Sequence, residues 1–195
     1  MNARVFIPVD KAAFYRFIAT EPEGRYEFEG GRIVQQMTGG TWAHGRIAQR
    51  FLLALLQQLD PQKWSVQTDR GVDTPKTVRY GDVVVEPVPA VLDSLSALNA
   101  ALVVEVLSPS SLVRDLDTKP AEYLAVETLE AYIVASQTEA ACLAWVRGAD
   151  RAFPAEPVEV ALGDSIAIPA LGVALDIAAI YSGIELSTED PTPHG

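Results

Sequence analysis

Two runs in the middle of the chain, VRYGDVVVE (78–86) and AALVVEVL (100–107), constrain the fold more than any other feature. Each is built around consecutive aliphatic residues, Val83–Val85 in the first and Leu102–Val104 in the second, the pattern of central strands covered on both faces. A chain with two such strands must bring helices to both sides of a sheet. This predicts an α/β (α+β) domain, a mixed central β-sheet flanked by helices. A chain of 195 residues buries roughly 70% of the surface its unfolded form would expose, so a core can form without staples. The single cysteine, Cys142 in ACLAWV, excludes an internal disulfide framework and reads as a small buried hydrophobe.

The flanking sequence supplies the other layers. Asp10 is placed to cap a helix through Thr20, with Ala13, Phe14, Phe17 and Ile18 on one side. RYEFEGGRIVQQM reads as two strands around Gly30-Gly31, a dipeptide suited to a tight hairpin. Thr41 opens a long helix whose apolar stripe is Ile47, Phe51, Leu52, Leu55, Leu56 and Leu59, with Pro61 after its end. KWSVQT is a further strand. Beyond the turn Ser108–Ser111, a helix is expected around 117–128, then strands in EAYIVAS and AACLAWVRG and a short helix near Asp176–Tyr181. Trp42, Trp64 and Trp145 read as core. Residues 1–186 are expected to form one domain, with STEDPTPHG (187–195) as a disordered tail.

Chemistry enters through the acids inside the apolar runs. Glu105 lies between Val104 and Val106, and Asp82 precedes Val83, Val84 and Val85. A carboxylate taken out of water persists only if it is protonated, paired or metal-bound. Either acid alone is readily explained as a strand end or an arginine partner. Two of them on neighbouring central strands repel unless something positive lies between. A divalent cation is the simplest solution, and oxygen ligands suit Mg²⁺ or Mn²⁺. Lys119 follows Glu105 by 14 residues, at the start of a helix, and could fold back over the strand end.

Net charge pulls the other way. Twenty-six acidic against 15 basic residues give −11. Proteins that hold DNA by its phosphates usually present a basic face. Lys63, Arg70, Lys76 and Arg79 are close in sequence and could form a local rim, as phosphate contacts or as ordinary solvated charge. The opening residues lack the apolar core of a secretory signal, and no apolar stretch approaches the ~20 residues of a membrane span. A cytoplasmic setting with no membrane partner is expected.

The segments YEFEGGRIV, then His44 ahead of the apolar helix, then GDVVVE, LVVEVLSPSS, RDLDTKPAEY and EAYIV stand in one order from about Tyr26 to Tyr181. That order resembles the Uma-two family of endonucleases, within the PD-(D/E)XK restriction-endonuclease-like superfamily. The resemblance implies a metal-dependent endonuclease with a restriction-endonuclease-like core. It implies Asp82 as the acid of the PD element and Glu105 as the acid of the (D/E)XK element, both holding Mg²⁺ or Mn²⁺. The ammonium would be displaced to Lys119, because Leu107 stands two residues after Glu105. Glu27 would be an additional metal or water ligand. The partners implied are DNA, bound weakly and with strong salt dependence, and a second copy in a homodimer. His44 matches a family histidine, yet by its position it reads as a hydrogen-bonder at the helix start.

The chain departs from the family pattern at Gly81, which replaces the proline before Asp82, and at Pro120. Proline is tolerated only in a first helical turn, so Asp117 is the expected cap and Lys119 lies at the helix start. Two other readings stay open. The same fold could be a homo-oligomeric regulatory module with a relic site, or a hydrolase of a small phosphorylated substrate.

Overall fold

Strands β4 (Val78–Pro87) and β5 (Leu102–Leu107) lie side by side at the centre of the sheet, as their composition requires. A computed structural model describes residues 8–21, 24–36, 40–88, 92–107 and 118–186. The turn Ser108–Ser111, the expected cap Asp117 and the tail 187–195 lie outside the described residues. The large sheet runs β2 (Arg32–Gln35), β1 (Tyr26–Glu29), β4, β5, β6 (Ala131–Ser136), β7 (Ala141–Val146), β8 (Val158–Ala161), with β3 (Trp64–Asp73) also paired to β4. Among the described strands of this sheet β5 and β6 run parallel and the other pairs antiparallel. A second sheet pairs β9 (Ser165–Ile168) with β10 (Val173–Asp176).

The helices begin where their caps predict. Asp10 accepts from the Ala13 amide to open α1 (Lys11–Thr20), and Thr41 accepts from the His44 amide to open α2 (Trp42–Gln58). α2 packs Ile47, Phe51 and Leu55 onto one face of the sheet, among Val83, Val85, Val104 and Val106. α4 (Ile177–Tyr181) closes the same layer. Helix α3 (118–124) covers the opposite face, where Tyr123 joins Val84, Val103, Tyr132 and Trp145. Cys142 is buried, as its apolar run predicts.

Three expectations are corrected. Trp42 is not core but 64% exposed, because it occupies the first, outward-facing position of α2. Leu56 is half exposed, on the flank of the α2 stripe rather than within it. The strand read as KWSVQT continues to Asp73, because β3 pairs with β4 along its whole length. The hairpin at Gly30-Gly31 is as read, with φ of +53° and +74°, a conformation glycine adopts without strain.

One irregularity positions the site. β3 occupies one edge of β4 throughout, so β1 and β5 must share the other. β1 meets β4 at Val78, and β5 meets it at Val83–Val85. Between these points residues 79–82 of β4 face a notch that no described strand fills. Asp82 is skipped on the β3 side too, since Thr68 pairs with Val83 and Arg70 with Gly81. The skipped partner, Asp69, has a left-handed φ of +54°. Gly81 has a steric role at this bend, because a Cβ there would lie 2.8 Å from Val84 and 2.9 Å from Val103 side-chain carbons.

Candidate active site

Asp82 and Glu105 come together across the splayed end of β4 and β5. The pairing Val85–Leu102, Val84–Val103, Val83–Val104 would, one step further, oppose Asp82 to Glu105. The ladder itself stops before that step. The amide of Val106 donates instead to Asp82 Oδ2 at 2.8 Å, so the carboxylate replaces a ladder bond. His44 Nε2, from the first turn of α2, lies 3.1 Å from the same oxygen. Asp82 Oδ1 accepts no hydrogen bond from the described residues.

Glu105 is 2% exposed. Lys119 Nζ donates to its Oε2 at 3.0 Å, and the Tyr123 hydroxyl donates to its Oε1 at 2.8 Å. Both donors come from α3 and are four residues apart, hence on one helical face. The Tyr123 ring packs 4.9 Å from Tyr132, which stacks at 5.5 Å on Trp145, so the hydroxyl is held by a rigid aromatic row. Burial raises the Glu105 pKa, Asp82 raises it further, and Lys119 and Tyr123 oppose the rise. The His44 pKa is also raised, by its hydrogen bond to Asp82 against the effect of burial.

Glu27 lies at the other end of the notch and is fully engaged. Its Oε2 accepts from Arg79 at 2.9 Å and from Gln36 at 2.8 Å, and its Oε1 accepts from the Tyr80 amide at 3.2 Å. Arg79 also donates to Glu122 Oε2 at 2.7 Å and Oε1 at 3.1 Å. The expected basic rim of Lys63, Arg70, Lys76 and Arg79 does not form. Arg79 is 5% exposed inside this ion network, and Arg70 is turned onto Glu86 and Ser94. Lys63 and Lys76 remain exposed, but the ten-residue hairpin separates them by roughly 30 Å.

Sequence reasoning missed two residues here. His44 does join its cap through its amide, as read, but its imidazole reaches the acid pair. Tyr123 was detectable from its i+4 spacing to Lys119.

The donor set fits a hard divalent cation: two carboxylates at the open end of one strand pair, with an Asp82 oxygen that accepts no hydrogen bond from the described residues. Among the described residues no three His, Cys, Asp or Glu side chains form a cage. This suits Mg²⁺, which commonly takes one or two carboxylates and completes its shell with water and substrate oxygens.

A crystal structure described as a "putative nuclease belonging to DUF820", from Anabaena variabilis, superposes with a TM-score of 0.65. The two share 14% identity over 82% of this chain and 91% of that one, which establishes a shared fold. No curated protein matches the chain. The family model Uma2, described as "Putative restriction endonuclease", matches residues 12–178, which contain every site residue named above, and the chain belongs to that family.

Proposed function

We propose that the protein is a metal-dependent endonuclease that hydrolyses phosphodiester bonds of DNA. The observation that carries this reading is the convergence of two acids at the open end of β4 and β5. Glu105 is buried, Asp82 lies close enough to raise its pKa and accepts from the Val106 amide, and Lys119 donates to Glu105. Family membership supports the same chemistry.

Asp82 and Glu105 would hold one Mg²⁺ or Mn²⁺ ion. When bound, such an ion supplies a Lewis acid and a water of lowered pKa. The chain supplies the rest. The Val106 amide and His44 fix the orientation of Asp82, and Tyr123 fixes that of Glu105. Lys119 is placed to hold the attacking water or to stabilise charge on the phosphoryl oxygens. Tight side-chain positioning of this kind lowers the entropic part of the barrier.

A second reading, hydrolysis of a small phosphorylated molecule, draws on the burial of Arg79 and the engagement of Arg70 with Glu86 and Ser94, which removes half of the expected DNA rim. Nicking of supercoiled plasmid in Mg²⁺ or Mn²⁺ decides between them. The parent should nick, Asp82→Ala should not, and Lys119→Met should be slower by about 10²–10³, the usual effect of losing one preorganised stabilising group. Nicking by Lys119→Met at the parent rate would remove the lysine from the mechanism. A metal-binding parent that cuts no nucleic acid would move the assignment to the small substrate.

A further inference from the structure

An acidic notch repels a phosphodiester unless a cation at its mouth can hold the backbone, and the cations expected there are committed elsewhere. Arg79 is enclosed by Glu27, Glu29 and Glu122, Arg70 by Glu86 and Ser94, and Lys119 engages Glu105. Arg25 differs. It directly precedes β1, and its guanidinium lies over the Tyr80 ring, 5.4 Å from the centroid. Tyr80 is two residues from Asp82 on β4 and so projects from the same face of the strand. Arg25 is also close enough to His44 to oppose the charging of that imidazole. Its ionic partner is Asp69, the residue opposite Asp82 whose left-handed backbone breaks the β3–β4 ladder. The Asp69 carboxylate is 64% exposed.

We infer that Arg25 is the phosphate-gripping residue of the site and that Asp69 holds its place until substrate arrives. This rests on the nuclease reading and adds the group that receives the DNA backbone. An ion pair with so exposed a partner contributes little to stability and exchanges readily. A guanidinium forms stronger, paired hydrogen bonds with a phosphate, and the Tyr80 ring already lies beneath it. Asp69 is thus a competitor for Arg25, and removing it should help binding while removing Arg25 should harm it.

The test is fluorescence anisotropy of a short labelled DNA duplex titrated with the full chain in Ca²⁺, which accepts the same oxygen ligands, at several salt concentrations. Arg25→Ala should weaken binding by about 10-fold or more, as loss of a charge-assisted contact does. It should also lower the slope of log affinity against log salt by about one. Asp69→Asn should tighten binding severalfold, and in the Arg25→Ala background it should have no effect. Equal binding by the parent and Arg25→Ala overturns the grip, and so does an Asp69→Asn variant that binds as poorly as Arg25→Ala. Absence of duplex binding by the parent overturns it too. Melting curves of the parent and Asp82→Ala with Mn²⁺, taken on the same preparations, separate the two failures. A shift in the parent that Asp82→Ala loses leaves the metal site standing even if the grip falls.

Discussion

Glu27 and Asp82 occupy the two ends of one notch in β4, and each carboxylate accepts a backbone amide that a strand neighbour would otherwise have taken. Around Glu27 every carboxylate oxygen of Glu27 and Glu122 is matched with a donor. Arg79 spans Glu27 and Glu122 and touches Glu29, and Gln36 takes a remaining lone pair. Burial works against the Arg79 charge, but Glu122 and Glu27 outweigh it and hold the guanidinium protonated. Around Asp82 the oxygens are not all matched, since its Oδ1 accepts no hydrogen bond from the described residues. Lys119 and Tyr123 hold Glu105, yet burial, with a smaller push from Asp82, leaves its carboxylate with a raised pKa. A buried acid is therefore not in itself a sign of function; an acid pair with a raised pKa and an oxygen that its neighbours leave without a donor is.

The largest effect should come from breaking the matched end. Arg79→Met would leave Glu27 and Glu122 without their cation, and losing one partner of a buried pair costs about 3–5 kcal/mol. In a domain of this size the melting temperature should fall by on the order of 10 °C. Thermal melts of the metal-free protein check this. A drop of only a degree or two would mean that the network carries no stability and that the contrast between the two ends is unfounded.

The unmatched end should respond with the opposite sign. A folded-state pKa raised above the unfolded value means that the native protein binds that proton more tightly. The ionised Glu105 carboxylate then costs stability above its folded pKa, and the cost disappears as pH falls below the ordinary glutamate value. Glu105→Gln should accordingly raise the melting temperature of the metal-free protein at neutral pH, by roughly 2–4 °C for each kcal/mol relieved. The gain should shrink as pH is lowered. A gain that is constant with pH, or a loss at neutral pH, would show that Lys119 and Tyr123 already compensate the charge.

How far the sequence carried depends on whether a signal is local. The cap residues Asp10 and Thr41, the 3.6-residue stripe of α2 and the apolar runs of β4 and β5 are local, and each appears where expected, save for Leu56 at the flank of the stripe. Asp82 and Glu105 were legible because a charge inside an apolar run is anomalous along the chain itself. The arginines were not, since nothing local distinguishes Arg79, which is drawn inward by acids 52 and 43 residues away, from a solvated cation. Arg25 gave no signal for the same reason. Gly81 looked like a lost proline, and only the closeness of Val103 on the neighbouring strand shows that a side chain there would collide.

The central claim, that the unmatched pair takes a cation and the matched network does not, is tested most directly by anomalous diffraction from crystals soaked in Mn²⁺. The account predicts a peak within bonding distance of Asp82 and Glu105 and none beside Glu27 or Glu122. A peak at Glu27, or a well-ordered crystal with none at Asp82 and Glu105, would contradict it.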